Sequence, residues 1–203
     1  MQPKQIFTAY DRFDVNQERH AFSYCPICAT PLSTTASSEY PRQSCPDCGW
    51  IHYRNPAPGV VILITDEVRV LIGKRGASSF ASGLWCLPGG FVEFEEDYLG
   101  AAIRETREET GLEVEICSVV SVCSNFLASN LHTLVTVLKA RVVGGIAQPG
   151  DDLEELRWVP LDGPFPDMAF EADSHIIERY RQTRLLGAPV DPEYARLQSG
   201  DGR

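Results

Sequence analysis

Residues 90–112 read GFVEFEEDYLGAAIRETREETGL, and the spacing inside that stretch decides how the chain is read. Gly90, Glu96, Arg104, Glu105, Glu108, Glu109, Gly111 and Leu112 stand in the order G-x5-E-x7-R-E-x-x-E-E-x-G-U, where U is aliphatic. Between Glu96 and Thr110 there is no proline and the only glycine is Gly100. Leu99, Ala102, Ile103 and Thr106 recur at helical spacing, so the segment is expected to be a helix with one apolar stripe. Glu105, Glu108 and Glu109 fall at i, i+3 and i+4 and share a face. Three carboxylates that close repel one another, and a hard divalent cation removes the penalty because it takes oxygen ligands. Arg104, four residues before Glu108, can orient it by an ion pair. Gly111 suits the left-handed conformation that ends a helix. The bare backbone of Leu87-Pro88-Gly89-Gly90 can bring a carbonyl to the same place. A Glu-rich helix face is most often plain solvated surface; here the Gly-Gly turn, the distant Glu96 and the terminal glycine all agree on a site.

Ahead of this box, Cys25-Pro-Ile-Cys28 and Cys45-Pro-Asp-Cys48 form CxxC-x16-CxxC. Two such knuckles can place four sulfurs tetrahedrally around one Zn2+, and Gly49 suits the tight turn that follows. Paired disulfides and a redox CxxC are the rival readings. No secretory leader precedes the cysteines, and a redox site does not call for two matched pairs. With all four positions filled by protein, such a zinc would be structural. Cys86, Cys117 and Cys123 sit in apolar, strand-like stretches and are expected to be buried thiols.

The box resembles the signature of the Nudix hydrolases, with Thr106 where the pattern has Ile, Leu or Val. That places a hydroxyl on the packing face, where it can bond back to the helix backbone. The resemblance implies an α/β fold, a mixed sheet sandwiched between helices, preceded by the small zinc ribbon. It implies hydrolysis of a nucleoside diphosphate linked to another moiety, with Mg2+ or Mn2+ as cofactor. In family terms Glu105, Glu108 and Glu109 are the metal set, Glu105 also a candidate base. Arg104 and Glu96 are supporting ion-pair partners, and the Gly89 carbonyl is a further ligand. A later carboxylate from Asp151, Asp152, Glu154 or Glu155 would join them, with Glu155 favoured. A zinc ribbon running into a Nudix domain is similar to a subset containing NADH pyrophosphatases and enzymes of FAD or ADP-ribose. The join Tyr53-Arg54-Asn55-Pro56 resembles the FAD/ADP-ribose group. The Ser-Gln-Pro-Trp stretch of the NADH enzymes is absent, and Phe165-Pro-Asp-Met-Ala-Phe170 stands in its place. ADP-ribose or FAD is therefore the favoured substrate, with NADH or a damaged nucleoside triphosphate as the alternative. A non-catalytic nucleotide-sugar sensor would be expected to have lost box carboxylates, and none is lost.

The chain has 203 residues and a formal net charge of −10, with no run of Lys or Arg that could follow a nucleic-acid backbone. Nucleic acid is not expected as a main partner; a small nucleotide is. An acidic protein with an anionic substrate needs a cation between them, in agreement with the box. No apolar run reaches membrane-spanning length, so no membrane partner is expected and the cytoplasm is the default location. The expected organisation is a lead over 1–21 that could pair in a homodimer, the ribbon over 22–54, the Nudix domain over 55–185 and a tail over 186–203. The β-branched runs 60–65 and 68–74 read as a hairpin about Asp66-Glu67. Strands are expected near 113–124, 131–143 and 156–160, and a helix over 171–185 with Ile176, Ile177 and Tyr180 inward. Tyr53, Arg75 and Phe170 are candidate substrate contacts, with Phe80, Trp85 and Phe126 as further aromatic platforms. His132 and His175 are expected to be structural.

Overall fold

The computed structural model describes residues 22–34, 41–128 and 131–196, apart from the side chains of Phe126 and Ala128. The expected lead over 1–21, the middle of the Ser/Thr-rich loop and the end of the tail lie outside the described residues. In chain order the elements are β1 (Ser33–Thr34), β2 (Gln43–Ser44), β3 (Ala57–Ile64), β4 (Arg69–Arg75), β5 (Trp85–Cys86), β6 (Gly89–Phe91), α1 (Tyr98–Thr110), β7 (Leu112–Ala128), β8 (Leu131–Gly145), β9 (Leu153–Pro160), α2 (Glu171–Thr183) and β10 (Ala188–Pro189). The ribbon contributes the antiparallel pair β1–β2. The remaining strands make a five-stranded sheet, β10-β7-β8-β3-β6, and a three-stranded sheet, β5-β4-β9. Only β3 and β8 run parallel, which makes the larger sheet mixed.

The expected 60–74 hairpin does not form as a ladder. The turn is present: Asp66 Oδ1 accepts the Val68 and Arg69 amides at 3.2 and 2.7 Å. Beyond the single bridge Thr65–Val70, however, β3 and β4 part into different sheets. Ile62, Leu63, Ile64, Val70, Leu71 and Ile72 are all fully buried. Strands apolar on both faces bury more as centres of two packed sheets than as neighbours in one.

Alternation along β3 shows how the layers are arranged. Val60, Ile62 and Ile64 pack with Ala101, Ala102 and Ile103 of α1, whereas Leu63 packs with Ile176, Ile177 and Tyr180 of α2. The two helices therefore cover opposite faces of the sheet, giving the expected α/β/α sandwich. Cys86 and Cys123 are buried as expected, but Cys117 is half-exposed. A bulge between Ile116 and Ser118 breaks the in–out alternation there.

Helix α1 begins at Asp97, whose carboxylate accepts the Leu99 and Gly100 amides at 2.9 Å each. It ends at Gly111 with φ of 68°, where a Cβ would stand 2.5 Å from the Ile146 carbonyl oxygen. Glycine is required at Gly111 for both reasons. Thr106 is fully buried and its hydroxyl donates to the Ala102 carbonyl at 2.7 Å, as the sequence suggested.

Candidate functional site

The two cysteine knuckles are copies of one another. Cys25 N–H donates to Thr30 O and Ala29 N–H to Cys25 O; Cys45 N–H donates to Trp50 O and Gly49 N–H to Cys45 O. Each turn closes in the left-handed region, at Ala29 (φ 60°) and Gly49 (φ 76°). The four sulfurs all lie within 4.8 Å of one another, with Cys25–Cys48 at 3.6 Å and Cys28–Cys45 at 3.4 Å. Zn–S bonds of about 2.3 Å set tetrahedral sulfurs about 3.8 Å apart, whereas a disulfide needs about 2.04 Å. The Ile27 and Cys48 amides point at Cys25 and Cys45 sulfur, as suits thiolates. The cluster thus fits a structural zinc; beside it Trp50 and His52 stack, and the exposed Phe22 meets both edge-on.

In the box, Arg104 is the hub. It holds Glu96 through two bonds of 2.6 and 3.0 Å, Glu105 at 2.8 Å, Glu108 at 2.9 Å and the Phe91 carbonyl at 3.1 Å. The guanidinium holds the Glu96 carboxyl below the usual range. Glu105 goes the other way, because burial outweighs its pairing with Arg104. Glu109 is 2% exposed, and burial pushes its carboxyl up to about 8 even though the Gly89 amide donates to it at 2.9 Å. Two carboxylates reluctant to carry charge on one helix face are what a divalent cation with oxygen ligands would relieve. Among the described residues, the only group of three or more His, Cys, Asp or Glu side chains with ligand atoms within 4.8 Å of one another is the four cysteines.

The backbone comes very close to this face. A Cβ on Gly90 would lie 2.3 Å from Glu105 Oε1, so any side chain there would displace the Glu105 carboxylate. Beyond α1, residues 146–152 fold back over the helix end, with Gln148 and Gly150 amides on the Thr110 and Glu109 carbonyls. That fold-back brings Asp151 within electrostatic reach of Glu105 and Asp152 within reach of Glu109. Glu155 lies on β9 opposite Lys74 and pairs with Arg157 at 2.8 Å.

Arg75 is buried rather than free to steer phosphates. Its Nε donates to the Phe80 carbonyl at 2.5 Å and Nη2 to Asp152 at 3.1 Å, and its guanidinium lies 5.6 Å from the Phe170 ring centre. The Phe80 and Phe170 rings are near-parallel, 6.3 Å apart and 14° from coplanar. Arg75 and Phe170 are thus brought together beside the box. Tyr53 is exposed on the ribbon side under Arg42, and no described contact joins it to this group. His132 and His175 lie on β8 and α2, away from the described box contacts.

One residue escaped sequence reasoning. Asp173 is 2% exposed, accepts the Leu87 amide at 2.9 Å, and is pushed by burial up to about 7. Its signal was there: 173, 176, 177 and 180 form an i, i+3, i+4, i+7 stripe, so an acid sits on the apolar face of α2.

Two sheets between helices, with several carboxylates on one helix beside a Gly-Gly turn, make an arrangement suited to holding a divalent cation against a phosphate chain. The NUDIX domain model matches residues 55–180, and the chain belongs to the Nudix hydrolases. It is 30% identical over 173 residues to the NAD-capped RNA hydrolase NudC of Pseudomonas aeruginosa, covering 83% of this chain and 59% of that protein. It is 35% identical over 129 residues to the ADP-ribose pyrophosphatase of Methanocaldococcus jannaschii, covering 63% and 75% respectively. A solved NUDIX hydrolase from Nitrosomonas europaea superposes with a TM-score of 0.68 at 30% identity, over 83% of this chain and 96% of that one. The chain spans about three fifths of the NudC length. No helix among the described residues is long and apolar enough to cross a membrane.

Proposed function

We propose that the chain hydrolyses the diphosphate bridge of a nicotinamide dinucleotide, releasing two mononucleotides. The observation that carries this is the reach of the NudC match. Covering 83% of the chain, it must extend ahead of residue 55 and include part of the ribbon as well as the catalytic domain. The relatives therefore favour what the sequence had as its alternative over ADP-ribose or FAD. An RNA 5′ end capped by such a dinucleotide is also a candidate, despite the net charge of −10 that argued against nucleic acid. ADP-ribose remains a second reading, supported by the archaeal relative and by Phe165–Phe170 standing in place of Ser-Gln-Pro-Trp.

In this proposal Glu105, Glu108 and Glu109, with the Gly89 carbonyl, hold Mg2+ or Mn2+, which when bound supplies charge neutralisation for the diphosphate. Glu105 takes the proton of the attacking water. Arg104, fixed by Glu96, keeps Glu105 and Glu108 aimed. The electrostatic reach of Asp151 to Glu105 and of Asp152 to Glu109 supports one of these, rather than Glu155, as the carboxylate that would complete the set. Phe170, with Phe80 and Arg75, offers a flat face for a planar ring; Tyr53 would take part only from the ribbon side. A product screen tests this: NADH, NAD-capped RNA, ADP-ribose, FAD and a nucleoside triphosphate with Mg2+ and then Mn2+. Mononucleotides from NADH or the capped RNA ahead of ADP-ribose are expected. ADP-ribose or FAD turning over fastest would return the substrate to the second reading, and binding without turnover would make the chain a sensor.

A further inference from the structure

We propose that Asp173 is a positioning residue for the metal-binding turn: its buried carboxylate holds the Leu87 amide and so lets α2 set where Gly89 and Gly90 stand against Glu105 and Glu109. The proposal rests on the reading of the box as a metal centre.

The turn 87–90 is held from three directions. Asp173 Oδ2 accepts Leu87 N–H at 2.9 Å, Glu109 Oε2 accepts Gly89 N–H at 2.9 Å, and between them the Pro88 carbonyl accepts Ile62 N–H at 2.8 Å. One hold comes from α1, one from β3 and one from α2. The position of the turn bears directly on the Glu105 carboxylate, since a Cβ on Gly90 would meet it at 2.3 Å.

The segment leading into α2 is built onto the same strand. Trp85 bridges Met168 in parallel; its amide donates to Asp167 O at 3.0 Å, and the Ala169 amide donates to Trp85 O at 2.6 Å. Asp173 continues that stitching to Leu87. At the far end α2 is tied down as well: Tyr180 Oη donates to Glu67 at 2.7 Å, and Arg184 donates to the Glu67 carbonyl at 2.8 Å. A helix fixed at both ends can serve as a reference for the turn.

Stability alone does not account for this acid. Asp173 sits in the first turn of α2, where an acid commonly turns back to cap the helix, and the N-cap Phe170 makes no side-chain bond. The helix start therefore goes uncapped while the carboxylate is turned to another segment. A buried carboxylate held by one backbone amide costs more than an apolar side chain would in its place. Its place there fits a positioning role, as with groups that orient metal ligands without touching the metal.

The test compares Asp173→Leu and Asp173→Ala, which remove the acceptor, with Asp173→Asn, which keeps a carbonyl oxygen for Leu87. Mn2+ affinity is read from the resonance of free Mn2+ without substrate, and kcat and KM are taken on the best substrate. Folding is checked by thermal melting. The folded Leu or Ala variant is expected to bind Mn2+ about 10- to 100-fold more weakly, or to lose kcat by that factor, with KM little changed. The Asn variant should recover most of the loss. A folded Leu or Ala variant with wild-type Mn2+ affinity and kcat overturns the proposal. So does an Asn variant as impaired as the other two, since charge and not the hydrogen bond would then matter. A wild-type chain that binds no Mn2+ overturns the reading of the box, and this proposal with it.

Discussion

Replacing Gly90 by alanine adds one methyl group at the closest approach between backbone and box. The new Cβ would stand 2.3 Å from Glu105 Oε1, 2.4 Å from its Cδ and 2.7 Å from Oε2. Ordinary contact begins near 3.4 Å, so the carboxylate must retreat by about an ångström. That retreat also strains the 2.8 Å bond from Arg104 to Glu105. The obstacle is the end of a flexible side chain, and Gly90 is not among the positive-φ residues, so the folding cost should be about 1 kcal/mol or less. A displacement of about 1 Å at a reacting group costs on the order of 100-fold in rate. Gly90→Ala is therefore expected to melt within a few degrees of wild type and to lose about 100-fold in kcat/KM on the best substrate of the panel. The neighbouring Gly89→Ala is the control, because its Cβ would meet the Val60 carbonyl at 2.2 Å, a backbone atom that cannot step aside. That variant should lose stability as well as activity. A Gly90→Ala enzyme with full activity would show that Glu105 does not need its present position, and the account of the box would be wrong.

Three further outcomes follow. Ala29 holds the left-handed turn that Gly49 holds in the matching knuckle, so Ala29→Gly should stabilise the ribbon by about 1 kcal/mol, read by denaturant unfolding of the zinc-loaded chain; an unchanged or lower midpoint would refute the strain. Thr106→Val puts the pattern's aliphatic residue into a fully buried site whose hydroxyl only back-bonds to Ala102, and should raise stability by about 1 kcal/mol without altering kcat. Burial raises the Asp173 carboxyl from 3.8 to about 7, so the folded chain keeps a proton that the unfolded chain sheds between those values. Its contribution is complete below about pH 4 and fades as pH rises through 7. Melting temperature without added Mg2+ should therefore fall more from pH 5 to pH 8 in wild type than in Asp173→Asn, and equal slopes would contradict the assignment.

The box and the ribbon were legible because both are local: fixed spacings along one helix and two four-residue knuckles carry their geometry with them. What depended on pairing across the chain was not. The runs 60–65 and 68–74 look like a hairpin until the rest of the chain supplies better neighbours for each strand, β8 and β6 for one, β5 and β9 for the other. From the sequence Glu155 is favoured over Asp151, Asp152 and Glu154, because nothing in GDDLEELRW says where the loop ends. Residues 146–152 cap α1, whereas Glu155 is already on β9. Arg75 reads as a candidate substrate contact, and nothing local in the sequence says that it packs among Phe80, Cys86 and Asp152. Asp173 broke the apolar stripe of α2, and such a break is readable only once one asks what the odd acid would hold.

The most direct test of the central claim is the hydrolysis rate of Glu109→Gln with Mg2+, measured beside its melting temperature. The amide oxygen can still accept the Gly89 N–H, so the turn keeps its hold while a charge that burial disfavours is removed. The account predicts equal or higher stability together with a rate about 100- to 1000-fold lower, the loss of one carboxylate from a metal-assisted phosphoryl transfer. A folded Glu109→Gln chain that turns over at the wild-type rate would contradict it.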